Sequence, residues 1–341
     1  MKKIFFSFFI LLSAAGIVVA AGGRDPAALA PLSVYVSMDE DLARGLLTAF
    51  TAETGIRTHH IREGSGLFLA RMEAERENPQ ASIWLGGVGV DHITARDRGL
   101  TTPFRSRHAD IIPPEFRCPN GYWIGLYLGP LAFTTNMDRA AALGISPPRS
   151  WADLLLPQFR GHIRMPNPTT SGTAYNMLTA MVHLHNRDED AAFDFMRRLD
   201  ANIDQYTRSG GAPGQSVAIG EVPIAIGYAH DMIRLKSAGA NIAITIPSEG
   251  TGYELAAMSL IAGGGQPVEA RRLYDWILSS PVAHQKFVDF YFVMIKRGVQ
   301  SHPMAIPFDE IRTVGDMAWD GDSANRNRLL DRWNAEIGSR R

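Results

Sequence analysis

Between residues 32 and 95 the chain repeats one order of patterns three times: a short apolar run, a loop of small residues, then an amphipathic stretch. Residues 32–36 alternate as a strand does, and residues 37–39 follow as a turn. Over 41–54, Leu42, Leu46, Leu47 and Phe50 recur on one helical face, and Gly55 stands where a C-cap belongs. A second strand is predicted at 57–61 and a second helix at 67–77, joined by the loop 63–66. A third strand, 81–85, ends in Gly86, Gly87 and Gly89, with a helix from Asp91 onward. Strand, loop and helix in repetition predict an α/β fold with a largely parallel sheet. Ligands of such sheets bind beyond the carboxyl ends of the strands. Ser37, Ser65 with Gly66, and Gly86 with Gly87 all fall there, on one rim.

Residues 122–135 form two strand-like runs broken at Gly129 and Pro130, which predicts a crossover into a second domain. After a short helix in 136–160, Ser150 and Asp153 have the spacing of an N-cap and first turn. A strand at 161–165 then delivers the chain into NPTTSGTAY, residues 167–175. Pro166 and Pro168 bar a helix before that point, and Thr169, Thr170 or Ser171 can cap the one that follows. Helices are predicted at 174–186, 188–200, 213–219 and 232–238, with strands at 222–228 and 242–246. Residues 255–261 are apolar throughout, 268–278 and 281–290 have helical spacing, and 323–337 is a polar helix. The expected organisation is one lobe over 32–130, joined by part of 260–341, and a second lobe over 131–260.

Composition narrows the function classes. Lys2 and Lys3 precede an apolar run over 4–19, and small residues at 18–21 offer a cleavage site, so residues 1–21 are expected to be an export signal. An exported, periplasmic chain with Cys118 as its single cysteine has no internal disulfide and no thiolate metal cluster. A net charge of −1 without a long basic run argues against nucleic acid.

Four loops of the second half carry the candidate chemistry. Thr169, Ser171, Gly172 and Thr173, with Ser209 and Gly210, offer hydroxyls and backbone amides and no negative charge; Arg208 is a neighbouring cation. Such loops at helix starts suit phosphate or carboxylate oxygens. His230, Asp231 and Glu254 bring acceptors, and Tyr253 an aromatic ring, a set suited to sugar hydroxyls. Together they describe a sugar phosphate better than a metal ion or an amino acid. Each has a plainer alternative: Asp231 as an N-cap of 232–238, Glu254 as a cap of 255–261, and residues 209–211 as a flexible turn. Enzymatic readings lack support, because the chain has no nucleophile elbow around Ser171 and no Walker loop. His183 with His185, and His59 with His60, lack a third ligand at usable spacing, and residues 188–190 read as a solvated helix start.

The segments NPTTSGTAYNML (167–178), RSGGAPGQSVAIGEVPIAIGYAHD (208–231) and GTGYELAAMSLI (250–261) resemble the periplasmic substrate-binding proteins of ABC importers. More narrowly, they resemble the iron(III)- and phosphonate-type group. The resemblance implies two α/β lobes joined by crossing strands that close over a ligand by a hinge, with no catalysis and no cofactor. Ferric-ion members carry an adjacent tyrosine pair; this sequence has none, and Ser209, Gly210, Gly211 and Ala212 stand at the corresponding loop. The hexose-phosphate branch is the closer likeness, in which a His-Asp pair and a Glu hold sugar hydroxyls while Ser/Thr loops hold the phosphate. It implies those roles for His230, Asp231 and Glu254, with Ser37, Ser65 and Gly87 closing from the first lobe. The expected protein is a monomer that hands a phosphorylated sugar to an ABC permease. Phosphonate binding, ferric-ion carriage with a synergistic anion, and an exported phosphatase are the alternatives.

Overall fold

A computed structural model describes residues 30–338; the expected export signal, residues 1–21, lies outside them. The elements run β1 (Leu32–Ser37), α1 (Glu40–Thr54), β2 (Thr58–Arg62), α2 (Ser65–Ala74), β3 (Ile83–Val88), α3 (Gly89–Asp97), β4 (Thr101–Thr102), β5 (Ile124–Asn136) and α4 (Met137–Leu143). They continue as β6 (Ile163–Pro166), α5 (Gly172–Leu184), α6 (Glu189–Asp200), β7 (Ile203–Thr207), α7 (Ala212–Ala218), β8 (Ile224–Tyr228), α8 (Ala229–Ser237), β9 (Ile242–Thr245) and β10 (Tyr253–Ile261). The last are α9 (Pro267–Ser279), α10 (Pro281–Asp289), β11 (Val293–Met294), α11 (Met317–Gly321) and α12 (Ser323–Glu336).

The strands hydrogen-bond in the order β2-β1-β3-β10-β5-β8-β6-β7. β2, β1 and β3 are parallel, as are β8, β6 and β7. Between these groups lie two antiparallel strands, β10 and β5. β5 is one continuous strand, not the two runs that Gly129 and Pro130 suggest. Its first half pairs with β10 through Pro130, and from Leu131 onward it pairs with β8 and β9. Pro130 can sit inside the strand because it marks the point where partners change. Residues 253–261 are likewise a strand, so Glu254 is not a helix cap. Continuous apolarity arises there because β10 is covered on both faces, and periodicity cannot separate such a strand from a buried helix.

The large cores lie on either side of this crossing. One joins Leu32, Val34 and Val36 of β1 to Phe50 of α1, Leu255 to Met258 of β10, and Leu273, Ile277 and Phe287 of α9 and α10. The other joins Ile163 and Met165 of β6 to α5, to Phe193 and Met196 of α6, and to Leu329 and Trp333 of α12. The chain after β10 therefore packs α9 and α10 on the first core and α12 on the second. Cys118 is buried and unpaired. Ser150 and Asp153 do exchange hydrogen bonds: the Asp153 carboxylate accepts from the Ser150 amide, and the Asp153 amide donates to Ser150 Oγ. Among the described residues no helix is long and apolar enough to cross a membrane.

Candidate functional site

The strand ends and helix starts of both halves face each other across a cavity of about 460 Å³, within the roughly 300–1,000 Å³ typical of small-molecule sites. Ser37, Ser65 and Gly87 reach it from the first half, and Ser171, Gly172, Thr173, Ser209, Gly210, His230 and Asp231 from the second. Glu254 enters from the start of β10. Thr169 does not line it: its hydroxyl donates to Asn167 Oδ1 at 2.7 Å. Arg208 is also absent from the lining; the cations there are Arg62 and Arg234. Asp39, Tyr127, Tyr228 and Phe292 also line the walls, at positions that no sequence motif marks.

One end of the cavity is built from helix starts. α2, α3, α5 and α7 all begin at it, and none has a side-chain cap. Ser171 stands at the N-cap of α5 without bonding to its amides, so the expected capping by that side chain does not occur. Elsewhere most helices are capped by a side chain, Asn136, Asp188, Ser280, Asp316 and Asp322 on α4, α6, α10, α11 and α12, while α9 is not. An uncapped start leaves amides without an intrahelical acceptor at the positive end of the macrodipole. Backbone approach is close here. A methyl group on Gly87, whose φ is +85°, would lie 2.9 Å from Ser37 Cβ and 3.0 Å from Ser65 Cβ.

The other end is acidic, with His230 and Glu254 buried and Asp231 partly exposed. His230 Nε2 lies 3.5 Å from Glu254 Oε1 and 3.8 Å from Asp231 Oδ1. Tyr228 stacks on the His230 ring, with Tyr127 and Phe292 edge-on. Burial drives the His230 pKa down to about 3, helped by the charge of Arg234, so the imidazole is neutral. Burial also lifts the Asp231 carboxyl to about 6; Asp39 pushes it the same way while Arg234 and Arg62 oppose. Glu254 is raised well above the ordinary carboxylate range by burial and then by Asp231. Asp231 is not the N-cap of its helix: α8 starts at Ala229, which leaves the carboxylate in the first turn. His230 Nδ1 and Arg234 Nε are buried without a protein partner. The end thus presents acceptors and donors that a polyhydroxylated ligand can satisfy.

Across the mouth, Arg234 Nη2 pairs with Asp39 Oδ2 at 2.7 Å, while Asp39 Oδ1 caps α1. Arg62 Nε donates to the Met38 carbonyl at 2.6 Å. These side chains belong to otherwise ordinary helix and strand ends, and their sequence neighbours give no signal of a site. Among the described residues no group of three or more His, Cys, Asp or Glu side chains is arranged to hold a metal ion. His183 instead pairs with Asp320 at 2.7 Å and His60 with Glu40 at 3.1 Å.

Residues 93–299 match the model of a family described as bacterial extracellular solute-binding protein. The chain belongs to this family. An "Uncharacterized protein" of Haemophilus influenzae is 34% identical over 344 residues, 98% of each chain. A putative 2-aminoethylphosphonate-binding periplasmic protein of Salmonella typhimurium is 25% identical over 236 residues, covering 68% of this chain and 67% of that one. Among solved structures, the periplasmic binding protein AfuA from Actinobacillus pleuropneumoniae, with fructose-6-phosphate bound, superposes with a TM-score of 0.86. It is 32% identical, over 90% of this chain and 98% of that chain. Iron-bound HitA from Pseudomonas aeruginosa, at 19% identity and a TM-score of 0.75, shares the fold. This solute-binding protein therefore has the two-lobed α/β fold of periplasmic binding proteins and is of the ABC-importer type, a binder rather than an enzyme.

Proposed function

We propose that this solute-binding protein captures a hexose phosphate in the periplasm and passes it, as a monomer, to the membrane subunits of an ABC importer. The observation that carries the reading is the polarity of one cavity: uncapped helix starts with hydroxyls at one end, buried acceptors around His230 at the other. The amides and hydroxyls of Ser37, Ser65, Gly87, Ser171, Gly172, Thr173, Ser209 and Gly210 hold the phosphate. His230, Asp231 and Glu254 take the sugar hydroxyls. Fructose-6-phosphate in AfuA, a neighbour at 32% identity over nearly its whole length, supports the same class. In this reading one lobe spans 32–130 with part of 260–341, the other spans 131–260, and residues 1–21 are removed on export.

A second reading, an aminoalkylphosphonate, is favoured by the Salmonella relative and by the carboxylates of Asp39, Asp231 and Glu254, which suit an ammonium group. A thermal-shift and calorimetry panel on ligand-stripped protein separates the readings. It holds fructose 6-phosphate, glucose 6-phosphate, 2-aminoethylphosphonate, inorganic phosphate, glucose and ferric citrate. A ligand at 100 times its Kd adds about 2.7 kcal/mol to stability. The expected result is a response to a hexose phosphate that neither glucose nor phosphate reproduces. A response to 2-aminoethylphosphonate alone would replace the sugar with the phosphonate, and one to ferric citrate alone would overturn both.

A further inference from the structure

Arg326 of α12 is the one buried arginine among the described residues, 2% exposed, and it does not line the cavity. Its guanidinium meets the starts of three helices that open on the anion end. Nη1 pairs with Oδ1 of Asp91, the third residue of α3, itself 0% exposed. Cζ lies 4.2 Å from the ring centroid of Tyr175, the fourth residue of α5. Nη2 backs Gly66, the second residue of α2, 3.4 Å from where a Cβ would stand. α2 and α3 belong to the first half and α5 to the second. One planar group, with donors at its rim and a flat face on an aromatic ring, therefore touches both halves.

The starts of α2 and α5 meet at the backbone. A Cβ on Gly64, the N-cap of α2, would come 2.3 Å from the Thr170 carbonyl oxygen, and one on Gly66 2.9 Å from that of Thr169. Gly64 has φ −65° and ψ 149°, which any residue adopts, so the contact with the second half is what requires glycine there. At this junction the amides of Ser65 and Gly66 in α2, and of Gly172, Thr173 and Ala174 in α5, find no acceptor in the protein. Ser65, Gly172 and Thr173 line the cavity. The separation of the two helices decides whether one tetrahedral anion can take bonds from both. A buried ion pair is a poor source of stability, because desolvation offsets attraction and an apolar pair of similar volume is often as stable. This pair is also incompletely bonded, since Asp91 Oδ2 lacks a well-formed hydrogen bond. Its charges cancel, so what it supplies to the cavity wall is position.

We propose that Arg326 is a positioning residue for the ligand's anionic group: paired with Asp91 and stacked on Tyr175, it holds the starts of α2 and α5 at the separation at which their free amides converge on one phosphate. The inference rests on the proposed hexose-phosphate reading. It gives α12, none of whose residues lines the cavity, a place in binding. Leu329 and Trp333 of the same helix are packed in the core with α5, so the guanidinium is carried by an anchored element.

The test measures fructose 6-phosphate by calorimetry and inorganic phosphate in competition with it, and follows the Gly66 and Gly172 amides of ¹⁵N-labelled protein. In the wild type both amides shift on saturation with fructose 6-phosphate. Asp91→Leu combined with Arg326→Met replaces the ion pair by apolar groups. Thr94 Oγ1 still donates to the Gly321 carbonyl at 2.8 Å and Arg98 Nη2 to Asn327 Oδ1 at 2.7 Å, which keeps α3 on α11 and α12. The melting temperature without ligand should stay close to wild type or rise. Affinity for both ligands should fall by the same factor, roughly tenfold, the loss of one hydrogen bond to a charged group. The shift at Gly66 or Gly172 should shrink with it. Should the double variant not fold, Arg326→Lys, which leaves Asp91 a partner but offers Tyr175 no flat face, carries the same comparison. Wild-type affinity in these variants would reduce the pair to a structural one and overturn the inference alone. A loss confined to fructose 6-phosphate would do the same, since it would place the effect at the sugar end. No shift at either glycine in the wild type would overturn the sugar-phosphate reading and this inference with it.

Discussion

At Asp231 several influences compete over one proton. Burial and the charge of Asp39 raise its pKa to about 6, while Arg234 and Arg62 pull it down. In the ligand-free protein this group contributes stability below its ordinary pKa of 3.8, and that contribution is lost as pH rises through about 6. His230 acts in the opposite sense: its pKa of about 3 lies below 6.5, so its contribution is complete above pH 6.5 and is lost as pH falls toward 3. A sugar hydroxyl that donates to Asp231 needs the ionised form. Binding of fructose 6-phosphate near pH 6 should therefore release protons, and the phosphate's own ionisation near pH 6 adds to the effect. Asp231→Asn separates the two: it should weaken binding about tenfold or more and reduce the protons released, counted by calorimetry in buffers of different ionisation enthalpy. An unchanged proton count would remove Asp231 from the hydroxyl set.

Most helices away from the cavity carry a side-chain cap, while α2, α3, α5, α7 and α8 start uncapped at its walls. Asp188 accepts from the Ala191 amide at the start of α6, far from the site, and Asp188→Ala should cost about 1 kcal/mol of stability without changing affinity. α5 behaves differently. Gly172, its first residue, lies so close to Ser65 Oγ and Val88 Cγ2 that a methyl group has no room. Gly172→Ala favours the helix itself but holds the facing walls apart. Ligand affinity should fall by about tenfold, as for a lost charge-assisted bond, while the melting temperature without ligand stays close to wild type. Equal affinity in that variant would mean that the cavity does not narrow at α5 on binding. The α5 loop was readable from the sequence because proline, glycine and hydroxyl residues cluster where a helix must start. Asp39, Arg62 and Arg234 were not, since their role depends on which ends face one another. Thr169 shows the converse: a hydroxyl in the right loop whose side chain is spent on Asn167.

Over the whole molecule, β5 and β10 carry the connection between the two sets of parallel strands, and the site sits against them. Gly129 explains why β5 has a glycine where it seemed to break: a Cβ there would come within 2.5 Å of His230 Nδ1. The strand continues, and the space is used by the imidazole. Beyond this crossing the halves are tied at the cavity mouth by Asp39 and Arg234. Asp39→Asn keeps an oxygen for the α1 amides but sets an NH₂ group against the guanidinium. Without ligand, the variant should show a larger radius of gyration by small-angle X-ray scattering, and saturating fructose 6-phosphate should return it to the wild-type value. A radius unchanged from wild type would show that this pair does not hold the halves together.

The repeated strand-loop-helix units and the small residues at their ends are legible in the order of residues alone, because periodicity and turn chemistry are local properties. That order also placed Ser37, Ser65, Gly87 and the residues around Gly172 and His230 at strand ends, since a parallel arrangement puts such ends on one rim. That residues 253–261 form a central strand emerges only in the folded chain, because full burial erases the period that would identify it. Only folding brought Asp39 to Arg234 and Ser259 to His92, pairs separated by 195 and 167 residues. Long-range pairs of this kind follow from the order of strands in the sheet, which no local pattern encodes, and the Asp39–Arg234 pair places opposite charges across the mouth of the cavity.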